Sequence, residues 1–227
     1  MPHNDLQILR HSAAHLAAHA ILELFPNTLL TIGPATEEGF FYDVLPEKNF
    51  KEEDLIAIEQ RMKELADKNY PISHTDISKA EALKLYANNP FKKELIADIP
   101  GDTVGLSVQG DFKDLCRGGH VATTGEIKHV KLLGISGSYW RADKSNQPLQ
   151  RIHGTAFFTA DELTDFEKRQ EELLQYDHRR LGKQLDYFSF HEDAAGFPFF
   201  HPKGQQVLMV LMDYMRKLHA QFDYKEI

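Results

Sequence analysis

Apolar positions recur at helical period through the first stretch of the chain. Leu6, Leu9, Ala13, Leu16, Ala20 and Leu24 fall on one stripe. This predicts a helix over residues 4–25, capped at Asn4 or Asp5 and stopped before Pro26. "TLLTIGPATEEGFFYDV" (28–44) mixes β-branched and aromatic residues around Gly33-Pro34 and Gly39, and predicts strand, turn, strand. Leu55, Ile58, Met62 and Leu65 mark a charged amphipathic helix over 52–69. "ISKAEALKLYANN" reads as another helix, with Ser78 as cap and Glu81 three residues on. Strands are predicted at 103–108, 127–135, 138–142 and in "QRIHGTAFF". Helices mixed with strands that lack a regular βαβ alternation favour an α+β fold over a doubly wound sheet. The character changes near residue 159. "TADELTDFEKRQEELLQYDHRRLGKQLD" predicts one long charged connecting helix. A Gly/Pro/aromatic loop follows, then an amphipathic helix with Val207, Leu208, Leu211, Met215 and Leu218 on one face, and "DYKEI" as the start of a strand. The division predicted is 1–158, a linker helix at 159–177, and 178–227.

With 227 residues, 42% of them hydrophobic, the chain can bury a core sufficient for one large domain or one and a half. Its one cysteine, Cys116, excludes a disulfide framework and favours a cytoplasmic home. No apolar run approaches the roughly 20 residues of a membrane span, and "MPHNDLQILRHS" lacks a signal layout. A membrane partner is not expected. The net charge of −8 weighs mildly against nucleic-acid binding. Lys92-Lys93, Lys128 to Lys131 and His178 to Lys183 are local basic clusters, each read first as solvated surface charge.

Histidines supply the candidate chemistry. In "RHSAAHLAAH" His11, His15 and His19 recur every four residues. At about 100° per residue they lie opposite the leucine stripe, so they face solvent or a second packed surface. Cys116 and His120, also four apart, close a Gly-rich "CRGGH" turn. His11, His15, Cys116 and His120 could together complete a tetrahedral zinc site. The same groups also suit chemistry without a metal, because neutral imidazole can orient or deprotonate water. The residues between the first two histidines are Ser12, Ala13 and Ala14, so the general base of an HExxH zinc peptidase is missing.

These motifs, with "GFFYDV", "FKDLCRGGH" and "GSYWRADKSNQPLQRIHGTAF", resemble the editing domain of bacterial threonyl-tRNA synthetases. Alanyl-tRNA synthetases and free-standing alanyl editing proteins share a related domain. "DHRRLGKQLDYFSFHEDAAGFPFFHPKG" is similar to the start of the threonyl family's class II catalytic domain. The resemblance implies an antiparallel sheet with helices, then a linker helix and an incomplete class II segment. It implies hydrolysis of a seryl ester on threonine tRNA, with the tRNA acceptor end as partner and a homodimer in full-length members. His11 and Lys92 would position the attacking water and help protonate the leaving ribose hydroxyl, with Lys93 as the alternative lysine. His15 and His120 would complete the polar wall. Tyr42, Asp114 and Cys116 would bound the amino-acid pocket and hold the substrate amine. No metal is favoured for editing, while ATP and zinc belong to later parts of the catalytic domain.

The chain departs from the family at Gly119, where proline is usual, a change expected to loosen the turn. The small domain that usually precedes editing, the later class II motifs and the anticodon-binding domain have no counterpart in these residues, so aminoacylation is not expected. Two rival readings remain: a zinc-dependent hydrolase of the alanyl editing type, and an inert tRNA-binding or dimerising fragment.

Overall fold

The computed structural model describes residues 2–225, with side chains from residue 5. The chain divides near Thr164 into two compact units.

In the first unit, α1 (Pro2–Leu24) is the central helix. It is already helical at Pro2, so Asn4 and Asp5 lie inside it; the side chain of Asn4 is outside the described residues. Ala13, Ala14, Ala17, Ala18 and Ala20 are strong helix formers and small enough for close approach from several sides. All are fully buried, as are Leu9, Leu16 and Ile21. Each of those three larger side chains contributes about 1.5–3 kcal/mol on burial. Next come β1 (Leu29–Leu30), β2 (Phe40–Leu45) and α2 (Glu52–Asp67). The predicted stripe of Leu55, Ile58, Met62 and Leu65 is the buried face of α2. β3 (Ile72–Ser78) leads into α3 (Lys79–Leu85), where the Glu81 N–H donates to Ser78 Oγ at 3.2 Å and the Ser78 N–H donates to Glu81 Oε2 at 3.0 Å. α4 (Pro90–Asp98), β4 (Thr103–Gln109), β5 (Phe112–Leu115), β6 (His129–Tyr139) and β7 (Pro148–Phe157) follow.

The fold is α+β with antiparallel sheets. One has the order β1-β2-β7-β6 and carries α1 against β2 and β7. Its register sets Tyr42 opposite Ile152 and Asp43 opposite Arg151. The two strand pieces predicted over 127–142 are one strand, β6, with an irregularity between Leu132 and Gly134 and a 3-10 turn at Trp140–Ala142. The second sheet has the order β3-β4-β5. Its β4–β5 hairpin turns at Gly110, where φ is +57°, and sets Asp114 opposite Ser107. Cys116 follows directly at the end of β5, its N–H donating to Gly105 O at 2.9 Å.

In the second unit the single long helix predicted from residue 159 is broken. α5 (Ala160–Gln175) crosses the division, and α6 (His178–Gln184) restarts at Asp177, whose carboxylate accepts the Arg179 N–H at 2.7 Å. An N-cap acceptor of this kind ends one helix and begins another. β8 (Phe188–Ser189) pairs with β9 (Phe199–Phe200), and α7 (Pro202–Gln221) completes the unit. On α7, Leu208 and Leu218 are half-buried, while Val207, Leu211 and Met215 are exposed. Asp223 to Lys225 form no strand, and Glu226 and Ile227 of the predicted strand lie outside the described residues.

Candidate active site

α1 presents His11 and His15 one turn apart. The turn after β5 brings Cys116 and His120 to them. This turn depends on Gly118 and Gly119, with φ of +97° and +82°, a region glycine enters at little cost. Proline, fixed near −65°, cannot adopt the Gly119 conformation, so the backbone path here is one that the family's usual residue forbids. Cys116 Sγ lies 3.0 Å from His11 Nε2 and 3.1 Å from His120 Nε2, and accepts the Gly118 N–H at 3.3 Å. The His11 and His120 rings stack with centroids 4.8 Å apart, and His15 stands edge-on to both. His11, Cys116 and His120 are half-buried; His15 is buried.

Asp114, 1% exposed, sits behind this cluster. Its Oδ1 receives Lys92 Nζ and the Leu115 N–H. Its Oδ2 receives the Tyr42 hydroxyl at 2.5 Å and lies 3.1 Å from His15 Nδ1. The His15 contact is an ion pair rather than an aligned hydrogen bond. Of the two adjacent lysines, Lys92 is 2% exposed and turned into this cluster, whereas Lys93 is exposed. α4 delivers Lys92: Asn89 caps the helix by accepting the Lys92 N–H at 3.1 Å, and its amide donates to Leu30 O at 2.8 Å, tying α4 to β1. Gly33 fixes Tyr42, since a Cβ there would lie 2.2 Å from the ring.

Burial opposes ionisation of the Cys116 thiol, but hydrogen bonds from His11 and His120 and the neighbouring His15 charge outweigh it and lower its pKa to about 3. Burial likewise opposes an imidazolium at His15, yet Asp114 and Cys116 raise its pKa to about 9. Burial also works against the Asp114 carboxylate, but Lys92 and His15 hold its pKa well below the usual range. Burial and the neighbouring Asp114 push the Tyr42 phenol well up. Burial lowers His120. The site is thus an alternation of Lys92, Asp114, His15 and Cys116 charges, capped by two imidazoles.

All seven predicted site residues converge in two layers. The half-buried His11, Cys116 and His120 form the outer one. Lys92, Asp114, Tyr42 and His15 form the inner one. Asp114 already meets the Lys92 ammonium, the Leu115 N–H, the Tyr42 hydroxyl and His15. Lys92 is tied to Asp114 and lies 3.3 Å from the Tyr42 hydroxyl. Of the two settings open to the histidine column, His19 takes the packed one: it is 5% exposed and stacked on Phe112 with centroids 5.0 Å apart. Its Nδ1 is 3.4 Å from Gln109 Nε2. The second packed surface proposed for the histidine column exists, and it extends far enough to cover His19.

Three contributors escaped the sequence reading: Gly33, Asn89 and Ser12. Ser12 stands between the two histidines, fully buried, and bonds the turn that carries His120. A serine inside an alanine-rich helix was the available signal.

His11, His15, Cys116 and His120 offer ligand atoms within 4.8 Å of one another. The donor types suit zinc, but the spacing is that of a hydrogen-bonded cluster. Tetrahedral zinc holds sulfur and nitrogen about 3.5 Å apart, given bonds of about 2.3 and 2.0 Å. The two Sγ–Nε2 distances here, 3.0 and 3.1 Å, are shorter, and the group must spread to take an ion.

A family model described as the threonyl and alanyl tRNA synthetase second additional domain matches residues 106–153, a span that includes Asp114, Cys116 and His120. A threonine–tRNA ligase from Desulfosudis oleivorans is 47% identical over 222 residues, covering 98% of this chain and 35% of that protein. Its counterpart from Clostridium kluyveri is 47% identical over 224 residues, with 97% and 35% covered. That from Nitrosomonas eutropha is 46% identical over 225 residues, with 98% and 35% covered. The chain therefore spans about 35% of the length of these relatives.

Proposed function

The chain is a segment of the threonine–tRNA ligase family, and we propose that its histidine–cysteine site hydrolyses the ester of serine mischarged on threonine tRNA. The observation that supports this is the half-buried His11–Cys116–His120 face backed by the Asp114–Lys92 pair. His11 takes a proton from water as the water oxygen attacks the ester carbonyl carbon. The tetrahedral intermediate collapses with cleavage of the bond to the ribose oxygen, and that oxygen receives the proton. Free serine and an uncharged tRNA end result. His15, kept as imidazolium beside Asp114, adds the positive charge that a developing oxyanion needs.

A pocket built for threonine rejects serine by only about 1–3 kcal/mol, the worth of one missing methylene. A second pocket narrowed by Cys116 and Tyr42 admits serine and excludes the extra methyl. The partner is the acceptor end of threonine tRNA, and the setting is the cytoplasm. No helix among the described residues is long and apolar enough to cross a membrane. Dimerisation, ATP and the zinc of aminoacylation belong to the longer family members. Editing here proceeds through water without a metal.

The test is ester loss from seryl- and threonyl-tRNA under matched conditions, with and without a strong chelator. Serine should be released, threonine spared, and the chelator without effect. The donor set supports one second reading: loss of activity on chelation and its return with zinc would make His11, His15, Cys116 and His120 the ligands of an alanyl-type hydrolase. No release of either amino acid would leave the inert-fragment reading.

A further inference from the structure

We propose that Trp140 and Arg141, at the tip of the β6–β7 hairpin, are positioning residues that hold α4 so that Lys92 meets Asp114. Their effect on catalysis rests on the hydrolytic reading above, but their geometry does not. No side chain of α4 belongs to the main apolar cluster. Ile96 packs in one small cluster with Ala82 and Val104, and Phe91 packs in the other with Trp140 and Leu149. Lys92 lies between these two supports, and the hairpin supplies the second. The Phe91 and Trp140 rings have centroids 5.0 Å apart. Trp140 is 6% exposed, and its indole N–H donates to Glu94 Oε2 at 2.9 Å. Arg141 reaches Asp98 at 2.5 Å and Glu94 at 3.5 Å. Its guanidinium carbon lies 5.5 Å from the Trp140 ring centre. Phe91, Glu94 and Asp98 follow one another at three and four residues, so they line one face of α4. The hairpin therefore grips the helix along most of its length.

The backbone of the tip is unusual. Arg141 and Ala142 both have φ of +57°. Residues with side chains rarely take this left-handed conformation, and they persist in it only where their surroundings hold them there. The Arg141 ion pairs are half exposed, so alone they hold weakly. The stronger part is the buried indole with its N–H on a carboxylate. On the far side of α4, Lys92 pairs with Asp114 Oδ1, and the other carboxylate oxygen faces Tyr42 and His15. A shift of α4 thus reaches the histidine–cysteine layer through the Lys92–Asp114 pair.

Two substitutions loosen the grip gently. Trp140→Phe keeps a ring against Phe91 and removes the N–H. Arg141→Gly removes the ion pairs and suits the left-handed backbone. Acetylation of Lys92 in the whole chain, read by peptide mass spectrometry against the exposed Lys93, reports whether Lys92 leaves Asp114 and needs no tRNA. In the double variant Lys92 should react about tenfold faster than in the parent, with Lys93 unchanged. Ile58→Val, which loosens the main cluster instead, should leave Lys92 protected. For seryl-tRNA, kcat of the double variant should fall about tenfold with KM within about twofold. In a Lys92→Met chain the same two substitutions should lower kcat no further, because the group they position is already gone. Lys92 protection equal to the parent's, or release no greater than Ile58→Val brings, would overturn the proposal. So would a kcat loss of the same size with and without Lys92. If Lys92→Met shows no measurable hydrolysis, the acetylation rates decide alone. If Lys92 is released as expected but the parent hydrolyses no seryl-tRNA, the hydrolytic reading fails while the positioning role stands.

Discussion

Cys116 and His15 exchange protonation roles when the chain folds. The ordinary thiol holds its proton up to about pH 9, and the ordinary imidazole loses its proton near 6.5; folding moves them to about 3 and about 9. The lowered thiol contributes stability that grows as pH rises above about 3 and is complete at the unfolded value. The raised imidazole contributes stability that is complete below 6.5 and is lost as pH climbs to about 9. Between 6.5 and 9 the trends oppose each other, so their combined contribution should be nearly flat. Cys116→Ser removes the rising trend, leaving His15 beside Asp114. Relative to the parent, its unfolding free energy should fall across that window by up to about 1.4 kcal/mol per pH unit. Urea unfolding at a series of pH values reads this, and a variant that tracks the parent would refute the charge assignment. The histidine spacing and the lone cysteine were plain in the sequence, because helical period alone aligns His11 with His15. The rest of the inner layer, Tyr42, Lys92 and Asp114, was legible only through family resemblance. Tyr42 and Lys92 meet Asp114 across 72 and 22 residues of chain, and no local pattern encodes such contacts.

α4 shows which elements the pattern of apolar positions reveals. α1, α2 and α3 were readable because an unbroken stripe or a capping box marks each. α4 buries Phe91, Lys92 and Ile96, so a lysine interrupts its apolar face, and the helix is only nine residues long. Asn89 followed by Pro90 was the remaining signal, since these residue types favour the cap and first position of a helix. β3 was equally silent: Ser73, His74, Thr75 and Asp76 are all exposed, leaving no alternation to detect. Asn89 does two jobs, capping α4 and tying it to β1, so it governs where Lys92 meets Asp114. Asn89→Ala should cost about 1 kcal/mol of stability through the lost cap. Asn89→Asp, which keeps the acceptor but not the donor to Leu30 O, should fall between the two. Equal stabilities in urea for all three chains would show that α4 is placed by its packing alone.

Stability is unevenly distributed along the chain. The main apolar cluster runs from Leu9 to Ala156, and the two smaller ones, around Ala82, Ile96 and Val104 and around Phe91, Trp140 and Leu149, lie within the same span. Every residue of the proposed site lies between His11 and His120. Beyond Asp165, by contrast, Gly182 and Gly204 are the only buried residues among those described. Val207, Val210, Leu211 and Met215 are exposed on α7, an apolar surface larger than a lone soluble helix usually shows. Elements with so little buried apolar surface open at low free energy. The first unit should therefore carry both the fold and the chemistry. A chain ended at Thr164 should unfold at the same urea midpoint as the parent and release serine from seryl-tRNA at the same rate, if the acceptor end is all that the site reads. Limited proteolysis of the parent should cut first beyond residue 165 and leave that fragment intact. The parent should also associate with rising concentration in sedimentation, and the shortened chain should not. A protease-resistant core spanning residues 100–227, or a shortened chain that fails to fold, would show that the second unit is needed to complete the first.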